Sequence, residues 1–307
     1  MLFPFILPYN KTRLQVSSLH SIYLEECGNQ EGYPLLVLHG GPGSRAGPLY
    51  RRLFNPQKFR IILFDQRGCG RSKPLGELQE NTTFDLVQDI DKIRVFLGIN
   101  KWFCIFGSSW GCTLALLYSI KFQDKVENIL LHGVFTSTFA ENREYIEGTP
   151  AKYFFPDYYQ QFISIIPVKE RGDIYNAFLS RFKNLDERKV IPYLKVWERW
   201  ESIVGNSSAL SSSLSARPIK ERIAYAKIFC HYLAHNCFLS DQEILQNVND
   251  VPCTIIHSRL DLNCPFIHAW NLYNIMPNAK LFALDKSSHS CFEDENSNQI
   301  REISDQL

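Results

Sequence analysis

The sequence has little excess charge of either sign. Its 307 residues include 33 lysines and arginines against 32 aspartates and glutamates, a net charge of +1. Proteins that bind nucleic acids usually carry a pronounced basic surface. The chain also lacks any apolar run near the roughly 20 residues that a membrane-spanning helix needs. We therefore expect a globular protein that binds neither nucleic acid nor membrane.

The sequence also lacks the cysteine spacing of a disulfide framework or a zinc site. Its nine cysteines are scattered, their number is odd, and none belongs to a C-x-x-C pair. This pattern is typical of reduced thiols in the cytosol. Residues 1–13 are apolar but contain Pro4 and Pro8, and their positive charge follows the apolar run, unlike a signal peptide. We predict a cytoplasmic protein with no metal and no organic cofactor; nothing in the sequence specifies an oligomeric state.

Up to residue 134, short apolar runs alternate with segments of helical periodicity. Apolar strands that alternate with helices form parallel sheets covered by helices on both faces. The alternation therefore predicts an α/β fold with a mostly parallel sheet. The predicted strands are 20–27, 34–40, 59–68, 101–107 and 126–134, and the predicted helices are 83–99 and 109–122.

The pattern changes between residues 135 and 247, which are rich in aromatic residues and helical in period. Alternation of strands and helices resumes at Pro252. We predict a core formed by residues 1–134 and 248–307 and a helical cap formed by residues 135–247. Such a cap would cover the carboxyl edge of the sheet, where open α/β sheets bind ligands. A serine-rich stretch, 207–215, is predicted to be a mobile loop of the cap.

A G-x-S-x-G motif lies between a predicted strand and a predicted helix. It reads Gly107-Ser108-Ser109-Trp110-Gly111. In α/β hydrolases this motif forms a sharp turn that exposes the hydroxyl of its central serine. Only Ser109 has glycines two residues before it and two residues after it, so we predict an α/β-hydrolase fold with Ser109 as the nucleophile. An epoxide hydrolase or a dehalogenase would need an acid at this position.

A serine nucleophile needs a base, and in this fold the triad follows the order serine, acid, histidine along the chain. Three histidines follow the predicted cap. His257 lies within an apolar strand and His268 has the spacing of a helix face, whereas His289 lies in a loop after a strand. We therefore predict that His289 is the base.

The position of a strand end predicts the acid. Asp261 follows the apolar run that begins at Pro252, which places it at the carboxyl edge of the sheet. Asp285 and Asp294 are closer to His289 in sequence and are the weaker alternatives. We predict that Asp261 orients His289.

A tetrahedral intermediate needs hydrogen-bond donors aimed at its oxyanion. One donor is expected from the backbone of Trp110, the residue after the nucleophile. The other is expected from the glycine-rich stretch "HGGPG" (39–43), which follows an early strand. Since Pro42 has no N–H, Gly41 or Gly40 must supply this donor.

Beyond these features, the chain carries a set of motifs that extends over nearly its whole length, cap included. They are "HGGPG" (39–43), "FDQRGCGRS" (64–72), "NTT" (81–83), "DI" (89–90), "GSSWGCTLAL" (107–116), "FPD" (155–157), "ERGD" (170–173), "WE" (200–201), "RLD" (259–261), "CP" (264–265) and "AW" (269–270). Together they resemble the motifs of the proline iminopeptidases, or prolyl aminopeptidases, a family of α/β-hydrolase peptidases. "DQRGCGRS" combined with "GSSWG" is much more specific than the elbow alone.

This resemblance implies a serine aminopeptidase that releases an N-terminal proline from a small peptide and needs no cofactor. It assigns the triad to Ser109, Asp261 and His289, and the oxyanion donors to Gly41 and Trp110.

The amine pocket departs from the family pattern. In the family, carboxylates of the cap hold the free amine of the substrate proline, and Glu201 matches one of them. Phe229 stands where the second glutamate is expected, and His132 stands where an arginine is usual. Loss of one acid beside one base would be a compensated change in pocket charge. Phe135 is a candidate for the aromatic lining around the proline ring.

Two other functions stay open. An esterase or amidase of the same fold would keep every triad residue without needing paired carboxylates for an amine. A non-catalytic α/β hydrolase that only binds a ligand belongs to a different class. The intact serine, aspartate and histidine argue against this last alternative, because a binding protein does not need all three.

Overall fold

The computed structural model describes residues 2–148, 150–205 and 217–307, and the predicted loop at 207–215 lies outside them. One sheet of eight strands runs through the described part of the chain, in the order β1-β2-β4-β3-β5-β6-β7-β8. The strands are β1 (Asn10–Gln15), β2 (Ser21–Gly28), β3 (Tyr33–Leu38), β4 (Phe59–Asp65), β5 (Trp102–Ser108), β6 (Val126–His132), β7 (Cys253–Ser258) and β8 (Ala279–Leu284).

Ten α-helices accompany the sheet in the described residues. They are α1 (Thr83–Phe96), α2 (Trp110–Lys121), α3 (Phe139–Ile146), α4 (Ala151–Phe154), α5 (Pro156–Ser164), α6 (Ile174–Asn184), α7 (Glu187–Gly205), α8 (Ile219–Ala234), α9 (Phe266–Ile275) and α10 (Asp294–Gln306). Among the described residues, no helix has the length and apolarity needed to cross a membrane.

Strands β3 to β8 pair in parallel, as the alternation of strands and helices predicts. At one edge the sheet is antiparallel, which agrees with the prediction of a mostly parallel sheet: β1 pairs antiparallel with β2, and β2 antiparallel with β4. The five residues between β1 and β2 are too few for a crossover, so the two strands form a hairpin. The sequence of β1, NKTRLQ, is mostly polar and partly exposed, which suits an edge strand but hides it from a search for apolar runs.

Alternate residues of the central strands pack into two separate cores, one on each face of the sheet. On β5, for example, Ile105 belongs to the core beneath α1 and α2, whereas Cys104 and Phe106 belong to the core that contains Ile300 and Ile303 of α10. Both faces of the parallel part are therefore buried, as expected when helices cover a parallel sheet. All nine cysteines are buried free thiols.

The helical insert begins after β6 and returns to the sheet at β7. These two strands are direct neighbours, with Leu131 opposite Ile255. Between them, the described residues contain helices α3 to α8 and no strand. The sheet is thus continuous across the inserted helices, and their assignment to a cap with limits at residues 135 and 247 stays a prediction.

Candidate active site

Ser109 lies on a sharp turn between β5 and α2. Its backbone has φ 56° and ψ −122°, a conformation that residues with a side chain rarely adopt. The flanking glycines are sterically required: a Cβ on Gly107 would lie 2.4 Å from the carbonyl oxygen of Gly111. A Cβ on Gly111 would lie 2.2 Å from the carbonyl oxygen of Leu38. The sequence therefore forms the strained elbow that presents a serine hydroxyl at the carboxyl edge of the sheet.

Asp261 and His289 meet at the ends of β7 and β8. The Nδ1 of His289 lies 2.7 Å from Oδ2 of Asp261. The other carboxylate oxygen accepts the backbone N–H groups of Asn263 at 2.9 Å and Cys264 at 2.8 Å. Burial alone would raise the pKa of Asp261, but the charge and hydrogen bond of His289 hold it below its ordinary value. Burial alone would lower the pKa of His289, but the charge and hydrogen bond of Asp261 raise it above its ordinary value.

The alternative histidines make other contacts. His257 is fully buried, and its Nε2 lies 2.7 Å from the carbonyl oxygen of Cys264. His268 lies on α9, where its Nε2 is 2.9 Å from a carboxylate oxygen of Glu144. His257 also approaches Asp261, at 3.6 Å, but His289 has the shorter contact and borders a cavity at the carboxyl edge of the sheet.

A cavity of about 300 Å³ lies at the carboxyl edge of the sheet, under the cap. Ser109 and His289 both line it, together with Gly40 and Gly41. A side chain that sequence reasoning missed, Asn263, also faces it, and its Nδ2 lies 2.9 Å from Nε2 of His289. The only available signal for Asn263 was its position two residues after the predicted acid, in the same loop.

The predicted oxyanion donors border the nucleophile. Gly41 has φ +127°, which favours glycine, and a Cβ on Gly40 would come within 3.3 Å of Cβ of Ser109. Trp110 begins α2, whose N-terminus has no side-chain cap. The first N–H groups of a helix have no partner within the helix, so the Trp110 N–H is a donor available beside Ser109. The Trp110 ring points away from the cavity, with its Nε1 donating to Gln66 at 3.0 Å.

Side chains and backbone groups of the motif "DQRGCGRS" hydrogen-bond to the glycine-rich loop. Asp65 accepts the backbone N–H of Ala46 at 2.9 Å and pairs with the Arg71 guanidinium at 2.7 Å. Gln66 donates its backbone N–H to His39 at 3.1 Å. Burial lowers the pKa of His39 to about 4, so this ring is neutral at physiological pH. The motif thus fixes the loop that carries Gly41 and does not itself enter the cavity.

Glu201 of α7 is the acidic side chain of the cavity. The hydroxyl of Tyr145 donates to one of its carboxylate oxygens, and that of Tyr225 donates to the other at 3.2 Å. Burial raises the pKa of Glu201 to about 7, although both tyrosines and the charge of His289 act in the opposite direction. Glu201 is the only carboxylate among the described residues that line the cavity.

Aromatic side chains form the cap side of the cavity. Phe135 and Phe229 both line it. The Phe229 ring packs between aromatic neighbours, with ring centroids 5.3 Å from Tyr145 and 5.5 Å from Trp197. The position at which the family pattern has a second acid is therefore part of an aromatic wall.

His132 lies apart from this wall. It ends β6, is buried beneath the elbow, and its Nδ1 lies 3.5 Å from the Ser108 hydroxyl. Burial lowers its pKa to about 3. Because His132 does not belong to the cavity lining, the exchanges at residues 132 and 229 are not two halves of one compensated pocket.

Comparison with known proteins identifies the family. Residues 33–296 match the model of the α/β-hydrolase fold family. A probable proline iminopeptidase of Leptolyngbya boryana is 40% identical over 300 residues, which is 95% of this chain and 92% of the relative. Proline iminopeptidases of Xylella fastidiosa and Arabidopsis thaliana are each 38% identical, covering 96% and 93% of this chain and 95% and 76% of the relatives.

Solved structures agree on the fold. A bromoperoxidase from Bacillus anthracis superposes with a TM-score of 0.65 at 17% identity, covering 97% of this chain and 98% of that one. A proline iminopeptidase from Mycobacterium smegmatis gives a TM-score of 0.60 at 18% identity, covering 97% of each chain. Similarity at this level of identity shows the architecture alone. With the sequence relatives, it leads to one conclusion: the chain belongs to the proline iminopeptidase family of the α/β-hydrolase fold.

Proposed function

We propose that this protein is a serine aminopeptidase that releases an N-terminal proline from small peptides. The observation that carries the proposal is the composition of one cavity, in which Ser109 and His289 face the carboxylate Glu201. Such a cavity places a peptide carbonyl beside a nucleophile while a free amine lies beside a counter-charge. Relatives named proline iminopeptidases over nearly the whole chain support the assignment.

In the proposed reaction, Ser109 attacks the prolyl carbonyl as its proton passes to Nε2 of His289. Asp261 stabilises the imidazolium that forms, because its carboxylate lies in short contact with Nδ1 of His289. The N–H groups of Gly41 and Trp110 donate hydrogen bonds to the developing oxyanion. His289 then protonates the leaving nitrogen, the C–N bond breaks, and a prolyl ester remains on Ser109. Water attacks this ester with His289 again as base, and proline is released.

Amine recognition is proposed for the cap side of the cavity. A buried ammonium is costly to desolvate and needs a counter-charge. Glu201 offers that charge, held in place by Tyr145 and Tyr225. Phe135 and Phe229 offer apolar faces for the pyrrolidine ring. We accordingly assign residues 135–247 to a cap domain that selects the substrate, over a core of residues 1–134 and 248–307.

The cellular location is part of the same proposal. Nine buried free thiols support a reducing compartment, the cytoplasm. The proposed partner is a small peptide with an N-terminal proline.

A comparison of three chromogenic substrates tests the function. The wild-type protein should hydrolyse proline p-nitroanilide with a kcat/KM at least about tenfold above that for alanine p-nitroanilide, which has the amine but no ring, or for p-nitrophenyl butyrate, which has neither. A fluorophosphonate should label Ser109, mapped by peptide mass spectrometry. Preference for the butyrate ester would refute aminopeptidase selectivity.

An esterase or amidase is the second candidate, and one observation favours it. Phe229 replaces the second acid, so the cavity presents a single carboxylate whose pKa of about 7 leaves it partly neutral. The same three substrates separate the two functions. A protein that binds these compounds without turnover or labelling would instead be the non-catalytic alternative.

A further inference from the structure

Asn263 lies beside the histidine that is predicted to be the base of the reaction. It follows Asp261 by two residues, and its backbone N–H is held by that carboxylate at 2.9 Å. Its side chain faces the cavity, and its Nδ2 lies 2.9 Å from Nε2 of His289. Neither the family resemblance nor the triad chemistry gives this side chain a role.

The contact with Asn263 occupies the lone pair on Nε2 of His289, which catalysis needs in order to accept a proton. When Nδ1 of a neutral His289 donates its proton to Asp261, Nε2 is an acceptor, and the Asn263 amide can donate to it. Ser109 must donate its own proton to the same Nε2. Asn263 therefore has to release His289 when Ser109 attacks, and its amide is then left without that partner at the reacting centre.

The leaving nitrogen must come to the same place. It receives its proton from Nε2 of His289, so it lies within hydrogen-bond reach of that atom. The Asn263 side chain already lies within this distance, because its Nδ2 is 2.9 Å from Nε2 of His289. A half-turn of its side-chain amide exchanges Nδ2 for Oδ1, which can accept an N–H.

We propose that Asn263 accepts the N–H of the scissile amide through Oδ1 and so selects amide over ester substrates. An ester leaving group has no N–H to offer, and neither has the tertiary amide of an N-methylated residue. As Ser109 attacks, the amide nitrogen becomes pyramidal and its lone pair must turn toward His289. A hydrogen bond to its N–H favours this orientation in the transition state, where it accelerates the reaction.

The atoms balance with no additional reactant. The Ser109 hydroxyl proton moves to His289, the serine oxygen bonds to the prolyl carbon, and the proton then passes to the departing nitrogen as the C–N bond breaks. Asn263 exchanges no proton. The inference rests on the proposed function, in which the acyl group is prolyl and the leaving group is the amine of the second residue.

Asn263→Leu tests the inference, because leucine has a similar size and no polar atom. Three substrates share the prolyl group: prolyl-glycinamide, prolyl-sarcosinamide, which differs by one N-methyl group, and proline methyl ester. Asn263→Leu should lower kcat/KM for prolyl-glycinamide about 10- to 100-fold, the range for a buried polar group left without its hydrogen-bond partner. The sarcosinamide and the ester should change less than about threefold.

Asn263→Asp is the matched variant, since it keeps an acceptor oxygen. Its ratio of glycinamide to sarcosinamide turnover should stay near the wild-type ratio. Circular dichroism and active-site titration with a fluorophosphonate confirm that each variant is folded. Equal losses on all three substrates in Asn263→Leu would overturn the inference and make Asn263 a residue that only positions His289.

Failure of the proposed function would look different. Wild-type protein would then hydrolyse none of the prolyl substrates, whatever residue occupies position 263. The same variants would be compared on the ester, secondary amide and N-methyl amide of the acyl group that the protein does accept. A selective loss on the secondary amide would support the role of Asn263, and equal losses would overturn it.

Discussion

The two sides of the cavity are built in different ways. On the core side, steric limits and hydrogen bonds fix individual atoms: Gly111 has no room for a Cβ, and the Asp261 carboxylate accepts from one imidazole and two backbone N–H groups. On the cap side, aromatic rings surround one carboxylate, Glu201, which two tyrosines hold. The proposed chemistry thus depends on individual atoms held in fixed positions, whereas the proposed amine recognition depends on one carboxylate inside an aromatic wall.

The largest expected effect is on the core side. Ser109→Ala should lower kcat by about 10⁴-fold or more on every substrate, because the members of a triad act as a unit. Ser108→Ala is the matched control: its buried hydroxyl contacts His132 rather than the triad, and activity should stay within about tenfold of wild type. Steady-state kinetics on proline p-nitroanilide measures both variants. Near-normal turnover by Ser109→Ala, or loss only in Ser108→Ala, would place the nucleophile elsewhere.

A smaller and more selective effect is expected on the cap side. Glu201→Gln should lower kcat/KM for proline p-nitroanilide by the equivalent of about 2–4 kcal/mol, since the substrate ammonium loses its counter-charge. Turnover of p-nitrophenyl butyrate, which carries no ammonium, should change little. The ratio of the two values is the measurement. If both substrates lose the same factor, Glu201 is structural and does not hold the amine.

The pH dependence should separate the two sides without mutation. Burial raises the pKa of Glu201 to about 7, so its negative charge is present above that pH and is lost as the pH falls below it. Both substrates need neutral His289, whose contribution cancels in a ratio. The ratio of proline p-nitroanilide to butyrate hydrolysis should therefore rise about tenfold between pH 6 and pH 8. In Glu201→Gln the same ratio should be flat; a rise that persists there would assign the titration to a different group.

The smallest effect is expected at the position that departs from the family pattern. Phe229→Glu should raise the proline-to-butyrate ratio about three- to tenfold, because a second carboxylate would face the ammonium. Phe229→Gln, of matched size but uncharged, should not raise it. Thermal unfolding should show a lower Tm for Phe229→Glu, since the new carboxylate replaces an aromatic ring inside the wall. An equal gain in both variants would mean that space rather than charge controls selectivity.

This division also explains what the sequence could predict. The elbow, the parallel strands and the placement of Asp261 and His289 follow from local patterns: glycines at fixed offsets and polar residues at the ends of apolar runs. Helix α1 is similar, because the capping box of Thr82 and Asp85 and the positive φ of Gly98 lie at its two ends. Glu201, in contrast, could be predicted as a substrate-binding residue only from the resemblance to the family.

Other features depend on contacts between residues distant in sequence. Tyr145 and Tyr225 are 80 residues apart, yet both donate to Glu201, and no local pattern distinguishes them from the many other tyrosines. Strand β1 lacks an apolar run because it is an edge strand that is largely polar. Asn263 becomes visible only when the loop after β7 meets His289.

The adjacency of β6 and β7 has a consequence for how the family diversifies. Because these strands are parallel neighbours, the insert leaves at the carboxyl end of β6 and the chain re-enters at the opposite end of β7, where Cys253 lies level with Ile129. The two ends are therefore roughly 11 Å apart. Any segment that spans this short distance can be exchanged here without disturbing the pairing of the sheet. The insert can therefore be exchanged as a unit during evolution. A chimaera that carries a relative's segment should have the substrate range of the donor and the reaction chemistry of the recipient.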